Sequence, residues 1–378
     1  MEQPPPSASA GPEHGVDGDR LPIAVNDLAA LGEELHRADD VPRLAAIRER
    51  AEHLVVALIR QGAPPGEVAT MVTVINDTLV ARLITRARTT LRLAGAVDPG
   101  LDFCWLTCGS DGRKEQVLRT DQDTALIYDD PPPDLAEDAA RYFQGLAIEV
   151  TRGLTACGFA HCDGGNMASN PRWCQPRSCW ESHVHRWIRV PDEEALLNAA
   201  VFFDLRPVYG STSLAEHLRD HITWEFGRDR TGLILLAKNA LRAPSPTGLR
   251  KRLALERHGP HEGRFDLKLR ALKPLTDAVR VLALDRGLHE TGTLERLAVL
   301  AGADASIRTL HPALLSAYET LIRCRVVFGA SDEGHGRYID PAAIDPGTMQ
   351  ELMDAFAVTK ALLTTLRVRY QLDALGLF

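Results

Sequence analysis

The chain has 378 residues, and its 43 Lys and Arg against 51 Asp and Glu give a formal net charge of −8. At about 150 residues per domain this length predicts two or three domains. A mildly acidic chain is a poor candidate for non-specific binding to DNA or to anionic membranes, which needs a basic surface. The sequence shows neither a basic-then-apolar leader nor an apolar run of about 20 residues, so we expect a cytoplasmic protein with no membrane partner. Seven cysteines, an odd number, predict reduced thiols.

The chain begins with a segment rich in Pro, Ser and Gly, residues 1–20, which we predict to be a disordered tail. Residues 21–98 are predicted to be helical, because apolar side chains between Val68 and Leu83 recur at steps of three and four. A Gly-Ala-Pro-Pro-Gly turn at residues 62–66 divides this region into two helical arms. We expect these arms to pack on the next domain, and a helical pair that forms an oligomer is the alternative.

Strand patterns begin after residue 100 and define a predicted core over residues 99–225. Short apolar runs at residues 101–107 and 124–128 predict two strands. Residues 135–157 predict a helix, and residues 158–162 a third strand.

From about residue 192 the apolar spacing is helical again, and residues 226–378 are predicted to form a C-terminal helical bundle. Lys268 and Lys273 lie on one of these helices, which Pro274 is expected to kink; we expect both to reach solvent, with a nucleotide contact as the alternative. The fold class is therefore α+β, with a small mixed-sheet core between an N-terminal helical region and the bundle. The predicted helices cover residues 193–208, 214–226, 233–243, 265–287, 307–328 and 345–375.

A Gly-Ser turn and an acidic pair are the sequence features that indicate a catalytic site. Gly109 and Ser110 follow the first predicted strand, where a glycine allows close approach to a ligand and a helix starting at Ser110 would offer N–H groups to phosphate. Asp121 and Asp123, two residues apart at the start of a strand, point to one face. Such a pair alone is usually a turn or a helix cap. Together with the Gly-Ser turn it indicates Mg²⁺-assisted phosphoryl or nucleotidyl transfer, because neighbouring carboxylates need a hard cation.

The same segment resembles the signature of polymerase-beta-type nucleotidyltransferases, Gly109-Ser110-x-Gly112-Arg113-x-Glu115-Gln116 followed by Thr120-Asp121-Gln122-Asp123. The branch that it resembles contains the PII-protein uridylyltransferases and the glutamine synthetase adenylyltransferases. Within that branch it is most similar to the nucleotidyltransferases often found behind cyclic-nucleotide-binding and CBS domains. Residues 162–171 and 202–210 support this resemblance, and residues 265–284 resemble the C-terminal helical domain thought to bind substrate.

The resemblance implies a nucleotide and metal site. Gly109 and Ser110 would hold the triphosphate of an NTP, and Asp121 and Asp123 would bind Mg²⁺, with Mn²⁺ as a substitute.

The resemblance also suggests further site residues. Arg113 and Gln122 are candidates for contact with the nucleotide. Asp163, after the third predicted strand, is the preferred third carboxylate, either as a metal ligand or to activate the acceptor hydroxyl. Asp204 is its alternative.

The predicted function is transfer of an NMP group from an NTP to an acceptor hydroxyl. The branch that the sequence resembles suggests a small regulatory protein as the acceptor, as in PII uridylylation. Two alternatives stay open. One is a nucleotide-sensing or partner-binding protein without catalysis on the same scaffold. The other is a zinc-stabilised module, although the spacing of its Cys and His residues lacks paired knuckles and packing of buried thiols explains it as well. The candidate zinc ligands are Cys157, His161, Cys162, Cys174, Cys179, His183 and His185.

Three tryptophans, Trp173, Trp180 and Trp187, recur at seven-residue steps. This spacing fits one face of a helix, although Pro176 interrupts its start. We expect the three rings to pack in the core, and a surface that stacks a base or docks a protein is the alternative.

Overall fold

The computed structural model describes residues 20–118, 121–190, 192–248, 252–329 and 336–373. The disordered tail predicted for residues 1–20 lies outside these ranges except for Arg20, which begins the first helix. The predicted α+β class is confirmed, since many helices surround a small mixed sheet.

The N-terminal region is three helices, α1 (Arg20–Arg37), α2 (Val41–Arg60) and α3 (Pro65–Leu93). The predicted break before α3 is confirmed, but the first arm is divided again between α1 and α2. Asp40 causes this second break, because its carboxylate accepts a hydrogen bond from the N–H of Arg43, 2.8 Å away, and so caps α2.

A four-stranded sheet forms the core, with the strand order β3-β2-β1-β4. Its strands are β1 (Phe103–Thr107), β2 (Thr124–Tyr128), β3 (Cys174–Pro176) and β4 (Arg206–Gly210). β1 is antiparallel to β2 and β4, whereas β2 and β3 are parallel. Thr107 at the end of β1 pairs with Thr124 at the start of β2, so the residues after β1 and those before β2 meet at the same end of these two strands.

Helices cover the sheet and leave β1 and β2 buried along their whole length. They include α5 (Ala136–Ala156), α6 (Arg177–Arg189) and α8 (Thr212–Arg228), while α7 (Glu193–Phe202) packs on α6. Strands covered on both faces read as continuous apolar runs, which is why the boundaries predicted for β2 are confirmed.

Two predictions in this core are wrong. Residues 158–162 form no strand; Ala160 makes an isolated bridge to Asp121, and the sheet takes β3 instead. The helix predicted over residues 193–208 ends at Phe202, and β4 follows. Pro207 explains the second error, since proline has no N–H for a helix but is accepted in an edge strand such as β4.

The three tryptophans pack in the core, as expected. Trp173, Trp180 and Trp187 are almost fully buried, and Trp173 lies with its ring centroid 4.4 Å from that of Phe202. Pro176 directly precedes α6, where a proline does not disturb the helix.

The C-terminal bundle contains α9 (Thr231–Leu241), α10 (Lys273–Asp285), α11 (Thr293–Ala303), α12 (Ala305–Gly329) and α13 (Pro346–Arg369). A short antiparallel pair joins β5 (Phe265–Asp266) to β6 (Tyr338–Ile339).

The helix predicted over residues 265–287 is therefore wrong in its first part, where β5 and a π-helical segment, Lys268–Leu272, precede α10. Pro274 lies in the first turn of α10, where its missing N–H leaves no gap in the helix. The sequence did not predict α11.

Among the described residues, α3 is long and apolar enough, by length and composition, to cross a membrane. In the structure 61% of its most apolar window is buried against the rest of the chain, and it packs on α1, α2 and α5. Core helices of soluble proteins pass the same test, so this observation is weak grounds for a membrane span.

Candidate active site

Gly109 and Asp123 approach each other closely where β1 and β2 meet. One helical turn, α4 (Gly109–Gly112), follows β1, and the N–H of Cys108 donates to the carbonyl of Asp123 at 2.8 Å. Gly109 has a φ of +58°, and a Cβ at this position would lie 2.4 Å from Oδ2 of Asp123. Both its backbone conformation and the neighbouring carboxylate therefore require glycine here.

Asp121, Asp123 and Cys162 form a group whose carboxylate and thiol atoms lie within 4.8 Å of one another. Burial, and next the charge of Asp121, raise the pKa of Asp123 to about 7, and Lys268 opposes this shift. Burial raises the pKa of Cys162 to about 11, with the charge of Asp123 adding to it. A divalent cation held between the two carboxylates would remove their repulsion, and these oxygen donors fit Mg²⁺ or Mn²⁺. The thiol of Cys162, which its raised pKa keeps protonated, is a soft donor and does not fit such a cation.

Hydrogen bonds between successive buried polar side chains end at the backbone carbonyl of Asp121. Arg48 donates to Asn76 at 3.0 Å, Asn76 donates to Gln116 at 3.1 Å, and Gln116 donates to the carbonyl of Asp121 at 3.4 Å. A pocket of about 20 Å³, large enough for one water, lies between these side chains and the acidic pair. The sequence signature includes Gln116, but nothing in the sequence predicted its bond to Asn76 or the bond of Asn76 to Arg48, because these residues come from α3 and α2.

The structure brings together some of the predicted site residues. Gly109, Asp121 and Asp123 meet, and half-buried Ser110 adjoins them in α4. Gln122 faces the interior, where its Nε2 donates to Oγ1 of Thr155 at 3.0 Å.

Asp163 is exposed and lies outside the group of donor atoms, while its neighbour Cys162 lies in it. The third-carboxylate role of Asp163 stays a prediction. The sequence predicts Cys162 as a candidate zinc ligand, whereas its place beside the acidic pair depends on how the loop after α5 folds.

Asp204, the alternative third carboxylate, is fully buried among three arginines. It accepts hydrogen bonds from Arg113 at 2.8 Å, from Arg280 at 2.6 Å and from Arg296 at 2.7 Å. Although burial opposes ionisation, these guanidinium groups hold the pKa of Asp204 well below its usual range. Arg113 also bonds Glu115 at 2.7 Å, so its guanidinium is committed to this cluster and is not brought to Asp121 and Asp123.

The C-terminal bundle contacts the loop after β1 directly. Thr291 donates to the carbonyl of Gly112 at 2.7 Å, and the N–H of Thr293 donates to Glu115 at 2.6 Å. Lys268 lies with Nζ 3.7 Å from Oδ1 of Asp121, so it faces the acidic pair as well as the solvent. The bundle therefore forms one side of the site.

The structure does not gather the proposed zinc ligands. Within the described ranges, the only group of three possible ligand atoms is Cys162 with the two aspartates. His183 instead stacks on Trp187, with ring centroids 5.8 Å apart. All seven cysteines lie in the described ranges, and none forms a disulfide.

Two family matches agree with this geometry. Residues 49–194, which contain the Gly-Ser turn and the acidic pair, match the family described as "Putative nucleotidyltransferase DUF294". Residues 231–370 match the family described as "Putative nucleotidyltransferase substrate binding domain". The two matches follow one another along the chain, and together they support nucleotidyl transfer as its general function. Comparison with curated proteins gave no match.

Proposed function

We propose that this protein is a Mg²⁺-dependent nucleotidyltransferase that moves an NMP group from an NTP to an acceptor hydroxyl and releases pyrophosphate. The observation that carries the proposal is the convergence of Asp121 and Asp123 beside Gly109, inside a domain that matches a nucleotidyltransferase family. Neither part alone would be sufficient, since acidic pairs are common and a fold does not establish an activity.

The residues of the proposed site have different roles. Asp121 and Asp123 would hold Mg²⁺, or Mn²⁺ in its place. When bound, this ion supplies positive charge against the phosphate oxygens in the transition state. Gln116 holds the backbone of Asp121, and the absence of a side chain at Gly109 leaves room at Asp123. Asp123 binds a cation as a carboxylate, and its pKa of about 7 makes metal binding favourable from neutral pH upward.

For the acceptor we propose a hydroxyl on a small regulatory protein, by the likeness to PII uridylyltransferases. The match of residues 231–370 to a substrate-binding family supports the C-terminal bundle as the place where the acceptor docks. The donor base is uracil or adenine in the related branch. We further propose a cytoplasmic protein without membrane or nucleic-acid partners that forms any oligomer through its N-terminal helices.

Binding of each labelled NTP, with and without Mg²⁺, tests the proposal. We expect metal-dependent binding of one NTP by the wild type and by Asp134→Asn, a control at an exposed aspartate. Binding should be lost in the Asp121→Asn/Asp123→Asn variant. If that variant binds as the wild type does, or if no NTP binds, the proposed site is wrong.

Release of pyrophosphate distinguishes the enzyme from the sensing protein. With the bound NTP and a cell extract as the source of acceptor, a transferase releases pyrophosphate and labels a macromolecule. Binding without release would favour the non-catalytic alternative. Asp163→Asn in the same assay shows whether that carboxylate contributes to transfer.

A further inference from the structure

Two cations from the C-terminal bundle lie close to the acidic pair. Lys268, at the start of the π-helical segment, places Nζ 3.7 Å from Oδ1 of Asp121, and its side chain is 44% exposed. This distance is long for a hydrogen bond, and the exposure shows that the ammonium group stands at the rim of the site. It is free to approach a ligand that enters from solvent.

Arg325 on α12 is the second cation, and its surroundings are unusual. It is only 4% exposed, its Nε has no hydrogen-bond partner, and it forms no ion pair with any residue of the described ranges. Burial lowers the pKa of Arg325, and the charge of Asp121 opposes this more strongly than any other group. The helix α12 also packs directly against the π-helical segment that contains Lys268, so both cations belong to the same side of the site. Among the described residues the guanidinium has no carboxylate that pairs with it.

Two other arginines of the bundle show what a purely structural arginine looks like here. Arg280 and Arg296 are buried to a similar extent, and each bonds Asp204 at 2.7 Å or less. A buried cation without such bonds costs folding free energy. Packing alone therefore does not explain Arg325, whereas an anion that arrives during function does.

The charge of a triphosphate explains both cations. An NTP brings several negative charges to a site that already contains two carboxylates, and metal ions bound there neutralise only part of the total. Preorganised cations on the opposite side lower the energy of the bound phosphates and of the departing pyrophosphate. The nearby Arg113 is bonded to Glu115 and Asp204 and does not supply this charge.

We propose that Lys268 and Arg325 form an anion subsite that binds the pyrophosphate part of the NTP, so that the C-terminal bundle completes the nucleotide site. The identity of the anion rests on the proposed function. The subsite binds phosphate oxygens rather than the base, so it serves any NTP. Arg325, inside the fold, provides a fixed guanidinium fork, and Lys268 a mobile ammonium at the entrance.

Calorimetric titration of the full chain with inorganic pyrophosphate and Mg²⁺ tests the subsite without a base or an acceptor. We expect Arg325→Met and Lys268→Met each to weaken binding about ten-fold or more, the loss of one charge-assisted hydrogen bond. Arg323→Met is the matched control, since this arginine lies on the same helix but pairs with Glu351 at the surface. It should bind as the wild type does.

Thermal unfolding supplies a second readout that a structural role would not give. Without ligand, Arg325→Met should unfold no earlier than the wild type, because the variant removes a buried charge that lacks a partner. Added Mg²⁺ and pyrophosphate should raise the midpoint of the wild type but not that of the variant. If Arg325→Met unfolds early, the role of Arg325 is structural and the proposal is wrong.

Failure of the subsite and failure of the proposed function give different results. If the wild type binds neither an NTP nor pyrophosphate, both proposals fall. If the wild type binds pyrophosphate and the Asp121→Asn/Asp123→Asn variant does not, but Arg325→Met and Lys268→Met bind normally, only the subsite is wrong.

Discussion

Replacement of Asp204 by Asn tests whether the role of this carboxylate is structural or catalytic. The substitution keeps the size of the side chain but removes the charge that three buried guanidinium groups share. Removal of one partner from a buried ion pair costs about 3–5 kcal/mol, because the other charge stays buried without compensation. Since a whole domain is stable by about 5–15 kcal/mol, this is a large fraction of the total.

The neighbours of Asp204 set the magnitude within this range. Arg113 keeps Glu115 and Arg280 keeps Asp277, so two of the three cations retain a partner. Arg296 would keep a carbonyl, that of Glu290 at 2.7 Å, but no carboxylate among the described residues. We therefore expect the lower part of the range, about 3 kcal/mol.

Urea unfolding of wild type, Asp204→Asn and Asp163→Asn measures this cost. Asp163 is exposed, so its variant should differ from the wild type by less than about 0.5 kcal/mol. Because the pKa of Asp204 is lowered in the fold, its contribution is present at neutral pH and is lost as the pH falls below about 4. An Asp204→Asn protein with the urea midpoint of the wild type would refute the assignment.

Three further predictions concern the site and the core. Burial and the charge of Asp121 raise the pKa of Asp123 to about 7, so the metal-free wild type loses stability as the pH rises toward 7. The free energy of unfolding of Asp123→Asn, measured in urea, should therefore exceed that of the wild type by more at about pH 8 than at about pH 5. An equal difference at the two pH values would contradict this prediction. Gly109→Ala places a methyl group 2.4 Å from Oδ2 of Asp123 and should abolish Mg²⁺-dependent NTP binding, whereas Gly62→Ala, with a positive φ but open space, should retain it in the same titration. Trp173→Ala should cost about 3–5 kcal/mol in urea unfolding and Trp224→Ala, 52% exposed, much less; similar losses would show that the tryptophan cluster is not the core.

Local patterns in the sequence determined much of the fold and part of the site. The apolar run at residues 124–128 marks β2, and the steps of three and four residues mark most of the helices, because these periods are properties of the elements themselves. Asp121, Asp123 and Gly109 are recognisable for a similar reason. Each lies a few residues from a strand, and the two strands pair directly, so their neighbourhood follows from short-range order.

The tertiary structure decided what depends on residues far apart in the chain. Periodicity did not show that residues 206–210 join β1 as an edge strand, nor that Asp204 meets arginines from α10 and α11. The resemblance made Asp204 an alternative third carboxylate, since a carboxylate looks the same in a sequence whether it meets a cation from solvent or a guanidinium from another helix. Burial and pairing are properties of the packed chain, and only the packed chain showed that the buried Nε of Arg325 has no hydrogen-bond partner among the described residues.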